Sequence, residues 1–406
     1  MNNYMRTTIF LILTCITFSL SAQTTIEWRG ENRTGIYNEQ GLLKSWGENG
    51  PELLWHYDKL GDGHSSVAIS KGKLYITGMT DGKGSLYVFD FNGKLLNKIM
   101  YGDEWTVNYN GTRATPIIND GKIYIISGVG DLICLNENNL NVIWRRNIFN
   151  DFDSKNIAWG INESPLIIGE KIIATPGGKK HNIVALDKNN GELIWSSPGK
   201  GDLSAYCSPL YIGDQEVPLI VTITAENIVG LEAATGKMLW SHESKNKNSI
   251  HSNTPVYANN RILCTSVDKG CTMLQLSDGG RKSEVVWEIP VLDNMMGAMV
   301  KIGGYIYGSG SGYKEKFWYC VDWETGEIIY KDPKLTAGVT IAADNRLYCY
   351  TDKGEMALVD ATPEKFEIVG KFPITMGTDQ HWAHPVIYQG VLYVRHGNTL
   401  MAYKIK

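Results

Sequence analysis

The chain has no neighbouring cysteines and no C-x-x-C pair among its 7 cysteines. A dithiol redox motif and a paired-cysteine zinc ribbon are therefore both excluded. It has no run of like charge: 39 Lys and Arg stand against 43 Asp and Glu, for a formal net charge of −4. That removes the basic face that a nucleic acid or an anionic membrane needs. Beyond the N-terminus no stretch is apolar for the roughly 18 residues that a transmembrane helix requires, so no transmembrane segment is expected. No convincing amphipathic helix appears either. The one Gly-rich loop, "GSGSGYKEK" from Gly308, precedes no helix whose dipole would hold a phosphate, which excludes nucleotide binding.

Cysteine is used sparingly in another sense. Apart from Cys15 and Cys207, the cysteines lie in apolar, strand-like runs such as "DLICLN", "RILCTS" and "LYCYTD". They read as small buried hydrophobes rather than as disulfides or metal ligands. Cys15 belongs to a different kind of segment. "MNNYMR" carries Arg6, "TTIFLILTCITF" is an apolar run, and "SLSAQ" offers small residues for cleavage after Ala22. This is the layout of a signal peptide over residues 1–22, which leaves 23–406 as one folded domain in the periplasm or outside the cell. A lipoprotein anchored through Cys15 is the weaker alternative, because Thr14 occupies a position where a small residue is expected.

What the chain does have is glycine, 43 in all, and a sentence that it writes repeatedly. "ALDKNNGELIW" ends at Trp195 and "GLEAATGKMLW" at Trp240. Further copies close at Trp144, Trp287 and Tyr330, with looser ones at Asn97 and Phe372. Each is preceded by a second phrase, "ATPIINDGKIYIISG" from Ala114 or "ESPLIIGEKIIATPG" from Glu163. The last such phrase, from Ala383, lacks its closing sentence. The missing end lies near the other terminus, in "PELLWHY" with Trp55.

A period of about 40–50 residues with short β-rich runs and Gly turns is the mark of a β-propeller with four strands per blade. Eight closing positions predict an all-β, eight-bladed propeller of four-stranded antiparallel blades, its ring closed by pairing of the N- and C-terminal strands. The repeated Asp or Asn (Asp90, Asn136, Asp187, Asp322, Asp360) should accept hydrogen bonds from turn amides. The repeated Gly (Gly93, Gly191, Gly236, Gly326) should supply a positive φ, and the Trp should bury its face against the neighbouring blade. Repetition of this kind is structural and marks no catalytic residue.

The pattern Ala-x-Asp-x-x-x-Gly-x-x-x-Trp, preceded by a Ser-Pro strand, resembles the repeat of the pyrroloquinoline-quinone-like propellers. The resemblance covers nearly all of residues 28–406, and the opening "WRGENRTGIYNEQGLLKSWGENGPELLW" is similar to that of single-domain secreted members. It implies two family activities. Quinoprotein dehydrogenases stack the quinone on a disulfide of neighbouring cysteines and hold calcium with Glu, Asn and Asp. This chain lacks the cysteine pair, and none of the calcium ligands can be matched, so quinone-dependent alcohol or sugar oxidation is not favoured. The other implied activity is a protein-interaction scaffold, like the lipoprotein B of the outer-membrane β-barrel assembly machinery. It fits the length and blade number, with a protein as partner.

In this topology the chain passes from each blade's outer strand to the next blade's inner strand, so the crossovers converge on one face of the channel. They hold an uneven share of the chemistry: His64, Arg113, Trp159, Glu163, Tyr206, His251, His381, Trp382 and His384. A solvated rim would use Lys, Ser and Asp and would not collect Trp. The set predicts a funnel for a small polar ligand, with carbohydrate favoured because aromatic faces stack on sugars while charged groups bind hydroxyls or carboxylates. Two alternatives stay open. His64, His251 and His381 are a conceivable ligand set for a divalent metal, and a His–Tyr–Arg group beside a uronate carboxylate would suit proton abstraction. The residues meet only through the fold, so neither turnover nor a metal is decided by spacing.

Overall fold

The computed structural model describes residues 25–296, 298–310 and 315–406. The expected signal peptide, residues 1–22, and part of the Gly-rich stretch from Gly308 lie outside the described residues. Strands fall into eight sheets arranged as propeller blades, seven of four strands and one of five. In chain order the blades span residues 68–103, 117–147, 166–197, 210–243, 256–289, 300–332, 338–373 and 386–404. Among the described residues the only helical turns are two 3-10 turns, Glu31–Arg33 and Asp278–Gly280.

The eighth blade is completed from the other end of the chain. Glu52–Tyr57 pairs antiparallel with Thr399–Lys404 as its outermost strand. This closure removes the two open edges that a curved array of sheets would leave. No helix among the described residues is long and apolar enough to cross a membrane. The six described cysteines are all free and buried.

The repeated sentence works as an interlock. Asp90 Oδ1 accepts the amides of Asn92 and Lys94 at 3.0 and 2.9 Å, and Asp322 Oδ1 those of Glu324 and Thr325 at 2.9 and 2.8 Å. Asp360 departs from the pattern and pairs with Arg346 at 2.9 Å instead. The closing Trp of one blade then covers the turn of the next. Trp55 Nε1 donates to Phe91 O at 2.9 Å, Trp144 Nε1 to Lys188 O at 3.0 Å and Trp240 Nε1 to Gly280 O at 3.1 Å. A β-bulge just before the aromatic, as between Val142 and Trp144, swings the indole toward its neighbour.

The Ser-Pro phrase has its own job near the axis. Ser66 N donates to Thr115 Oγ1 at 2.9 Å, Thr115 N to Ser164 Oγ at 3.2 Å, and Ser164 N to Ser208 Oγ at 2.9 Å. Each hydroxyl thus satisfies an inner-strand amide of the previous blade, where no further strand can reach.

One feature of the centre was not legible in the repeat. The N-terminal segment enters the channel. Ile26 bridges to Ile69 of the first blade, and Ile36–Tyr37 adds a parallel fifth strand to Gly338–Ala343 of the seventh. That inner strand is six residues long where the other seven inner strands have three, so it alone offers a long unpaired edge. Two buried arginines anchor the segment. Arg33 donates to the carbonyls of Ser164, Pro165 and Pro209, and Arg29 to those of Met299 and Thr340. Gly35 makes room for this: at φ +75°, a Cβ there would sit 2.3 Å from Arg29 Nη2.

Candidate functional site

Above this segment the crossovers enclose a cavity of about 240 Å³. Seven of the eight crossovers contribute to its lining; the one into the seventh blade does not. Of the sequence-predicted residues, His64, Arg113, Trp159, Tyr206, Trp382 and His384 border the cavity. Its aromatic content is high, because Trp28 and Tyr109 join Trp159, Tyr206 and Trp382.

These rings are in mutual contact. Trp382 lies 5.0 Å from both His64 and Tyr109, and Trp159 lies 6.2 Å from Tyr206. Tyr206 and Tyr109 both hold positive φ, 72° and 44°. A bulky residue adopts that region only when its surroundings impose it, and such strain gathers at functional sites. The Tyr206 hydroxyl accepts the Trp159 amide at 3.3 Å, and burial raises its pKa to about 12.

The polar groups are arranged around one cation. Arg113 Nη2 donates to the carbonyls of Asn108 and Tyr109 at 3.0 and 2.6 Å, while its buried Nε has no partner. Burial lowers its pKa, partly offset by Glu104. His64 has a partner on neither ring nitrogen, and its pKa is pushed down to about 3 by burial and by the charges of Arg395 and Arg113. His384 is also neutral, held to about 3 by burial and Arg29. Arg29 Nη1 must donate to His384 Nδ1 at 3.2 Å, so the proton sits on Nε2, which donates to Met296 O at 3.0 Å. Asn162 Oδ1, at the rim of the same cavity, is buried without a donor.

Three predicted residues lie outside the lining. Glu163 is fully buried in the third blade, where Oε1 accepts the Thr175 amide at 2.7 Å; burial raises its pKa to about 7 against the pull of Arg33. His251, expected on the funnel wall, is fully buried instead, with Nε2 3.3 Å from Ala225 O and a pKa lowered to about 4 by burial. His381 turns away from the cavity to stack on His396, ring centres 3.6 Å apart, with the Tyr350 hydroxyl 2.6 Å from its Nδ1. Its pKa is lowered to about 4 by burial and by His396.

The conceivable metal set of His64, His251 and His381 is therefore not assembled. No group of three or more His, Cys, Asp or Glu among the described residues is placed to hold a metal ion. Neighbouring side chains along a crossover point in opposite directions: Ile250 and Ser252 flank His251 and both line the cavity, and Trp382 lines it beside His381, so each His points away, His251 into the interior and His381 onto His396.

Sequence reasoning missed Trp28, Tyr109 and Asn162. Tyr109 and Asn162 stand in the same crossovers as Arg113 and Glu163, and position alone did not rank them. Trp28 had one signal: it precedes every blade, so it has no place in the repeat and must be used elsewhere. Trp105, a crossover Trp outside the lining, donates from Nε1 to Asn108 Oδ1 at 3.0 Å and so props the loop that carries Tyr109 and Arg113.

A calcium-bound quinone does not fit this lining. Calcium takes six to eight oxygen ligands, carboxylates foremost, and among the described residues no Asp or Glu borders the cavity.

Comparison with known proteins agrees with the architecture. Residues 82–332 match the family model described as outer membrane protein assembly factor BamB. The crystal structure of BamB from Moraxella catarrhalis superposes with a TM-score of 0.64 at 13% identity, covering 87% of this chain and 100% of that one. The quinohemoprotein alcohol dehydrogenase from Comamonas testosteroni gives 0.66 at 12% identity, over 93% and 80%. The computationally designed Ika8 protein gives 0.60 at 12% identity, over 87% and 100%. At such identities the likeness establishes the fold alone. No curated protein matches the chain in sequence.

Proposed function

The chain belongs to the pyrroloquinoline-quinone-like propeller family whose model is described as outer membrane protein assembly factor BamB, and from that premise we propose that it is an exported propeller binding a small polar ligand, of the carbohydrate class, in the crossover cavity. One observation carries this reading. Five aromatic side chains border a cavity in which His64, Arg113 Nε and Asn162 Oδ1 lack hydrogen-bond partners. An unmade hydrogen bond on a buried group costs about 1–3 kcal/mol. A ligand that supplies both donors and acceptors recovers this cost. Sugar hydroxyls do so, and the C–H face of the ring stacks on indole and phenol rings.

The test is direct titration of monosaccharides and disaccharides, with ligand-observed NMR for weak binders. Trp382→Ala and Trp159→Ala should each weaken binding at least tenfold while the far-ultraviolet spectrum stays unchanged. Binding unaffected by either substitution, or no saccharide binding at all, refutes the reading. The export component rests on residues 1–22. Sequencing the N-terminus of the mature protein checks it, with Gln23 as the expected first residue.

A further inference from the structure

The cavity has one more property, its charge. Three arginines surround it, and none is within ion-pair distance of a carboxylate among the described residues. Arg113 lines it and gives its bonds to main-chain carbonyls. Arg29, 1% exposed, holds His384 and otherwise contacts only carbonyl oxygens. Arg395, 2% exposed, donates to the Ser65 hydroxyl and to the carbonyls of Ser65, Thr77, Gly61 and Gly397. The nearest counter-charge to Arg113 is Glu104. Its two carboxylate oxygens are already taken, by the Tyr101 hydroxyl at 2.5 Å and the Gly128 amide at 2.7 Å, and burial lifts its pKa to about 7. Among the described residues the lining itself contains no carboxylate.

Buried charge is normally paired, because desolvation of an unpaired ion is costly. Three unpaired guanidinium groups around one aromatic cavity leave a positive potential that low dielectric does little to screen. The effect registers on His64, where the charges of Arg395 and Arg113 add to burial in keeping the ring neutral. A neutral imidazole beside a cation can donate from one nitrogen and accept at the other, as a hydroxylated anion would require.

Resting on the carbohydrate reading, we propose that the cavity is a subsite for an acidic sugar: one saccharide ring carrying a carboxylate, with the Arg113 guanidinium as its counter-ion, His64 on a neighbouring hydroxyl, and the ring face against Trp382 and Tyr109. The volume of about 240 Å³ falls below the roughly 300–1,000 Å³ of pockets for drug-sized ligands, which sets the size at one ring. The ligand is a carboxylate rather than a phosphate dianion, because Arg113 is the one Arg or Lys among the described residues of the lining and both lining histidines are uncharged.

The experiment titrates the full mature chain with glucuronate and galacturonate, their methyl esters, glucose, galactose, glucose 6-phosphate and cyclohexanecarboxylate. The uronates should bind at least tenfold tighter than their esters and than the neutral sugars. Arg113→Gln should abolish that preference, and Arg113→Lys should keep most of it. The acid-against-ester comparison needs no substitution, so it stands even where Arg113→Gln fails to fold. Ester and acid binding alike would overturn the charge inference and leave the carbohydrate reading intact. Cyclohexanecarboxylate binding as tightly as the uronates would overturn the sugar reading and the proposal with it. A preference for glucose 6-phosphate would overturn the choice of carboxylate.

Discussion

Substituting Gly236 by Ala isolates the blade interlock. Gly236 and Gly72 share a φ of +74°, so an added Cβ pays the same left-handed backbone cost at both, about 1–2 kcal/mol. Their surroundings differ. At Gly72 nothing lies within 4 Å of the new atom, whereas at Gly236 the Trp195 ring lies 2.3 Å away. Trp195 is buried between blades and cannot swing clear, so the clash adds an overpacking cost of about 1–3 kcal/mol. Gly236→Ala should therefore lose about 2–5 kcal/mol and Gly72→Ala only about 1–2. Gly191 and Gly121 form a second matched pair at φ +75°, with Trp144 2.8 Å from the first and nothing near the second. Equilibrium urea unfolding measures all four variants. Adding Trp195→Leu to Gly236→Ala should cost less than the sum of the single changes, since the smaller side chain relieves the clash. Equal losses at Gly236 and Gly72 would show that the glycine serves only the turn and that the indole does not clamp the neighbouring blade.

Removing residues 23–58 deletes the outer strand of the eighth blade and the channel segment with Arg29 and Arg33, and the truncated chain should show no cooperative unfolding transition; an unchanged melting curve would refute closure by the termini. His251 should behave as a core residue. Burial holds its folded pKa near 4 against 6.5 when unfolded, so the unfolded chain takes up the proton first and stability should fall as pH drops from 6.5 toward 4. His251→Asn should flatten that part of the stability-against-pH curve, and an unaltered slope would place the proton uptake elsewhere.

The blade count, the four-strand period and the closure through Trp55 were all legible in the sequence, because each repeat is a local unit whose turn, bulge and indole recur at fixed spacing. The crossovers were legible as the place where chemistry gathers. Which of their residues reach the cavity was not. His251 stands between Ile250 and Ser252, and His381 beside Trp382, all of which line the cavity, and a single step along the chain is enough to turn a side chain from funnel wall to interior. His384, by contrast, sits at the inner-strand position that Ser164 and Ser208 hold in other blades, and the register puts it on the axis. Trp28, Arg29 and Arg33 belong to no repeat, so periodicity said nothing of them. Their place followed only from the ring itself, which leaves one long inner edge in the seventh blade and a channel of carbonyl oxygens that two guanidinium groups can satisfy. The sequence by itself determined the unit and the number of its copies, since both are set by contacts within and between adjacent repeats. The filled channel, the aromatic cavity above it and its unpaired positive charge were decided by tertiary structure alone, because they depend on residues hundreds of positions apart meeting at one axis.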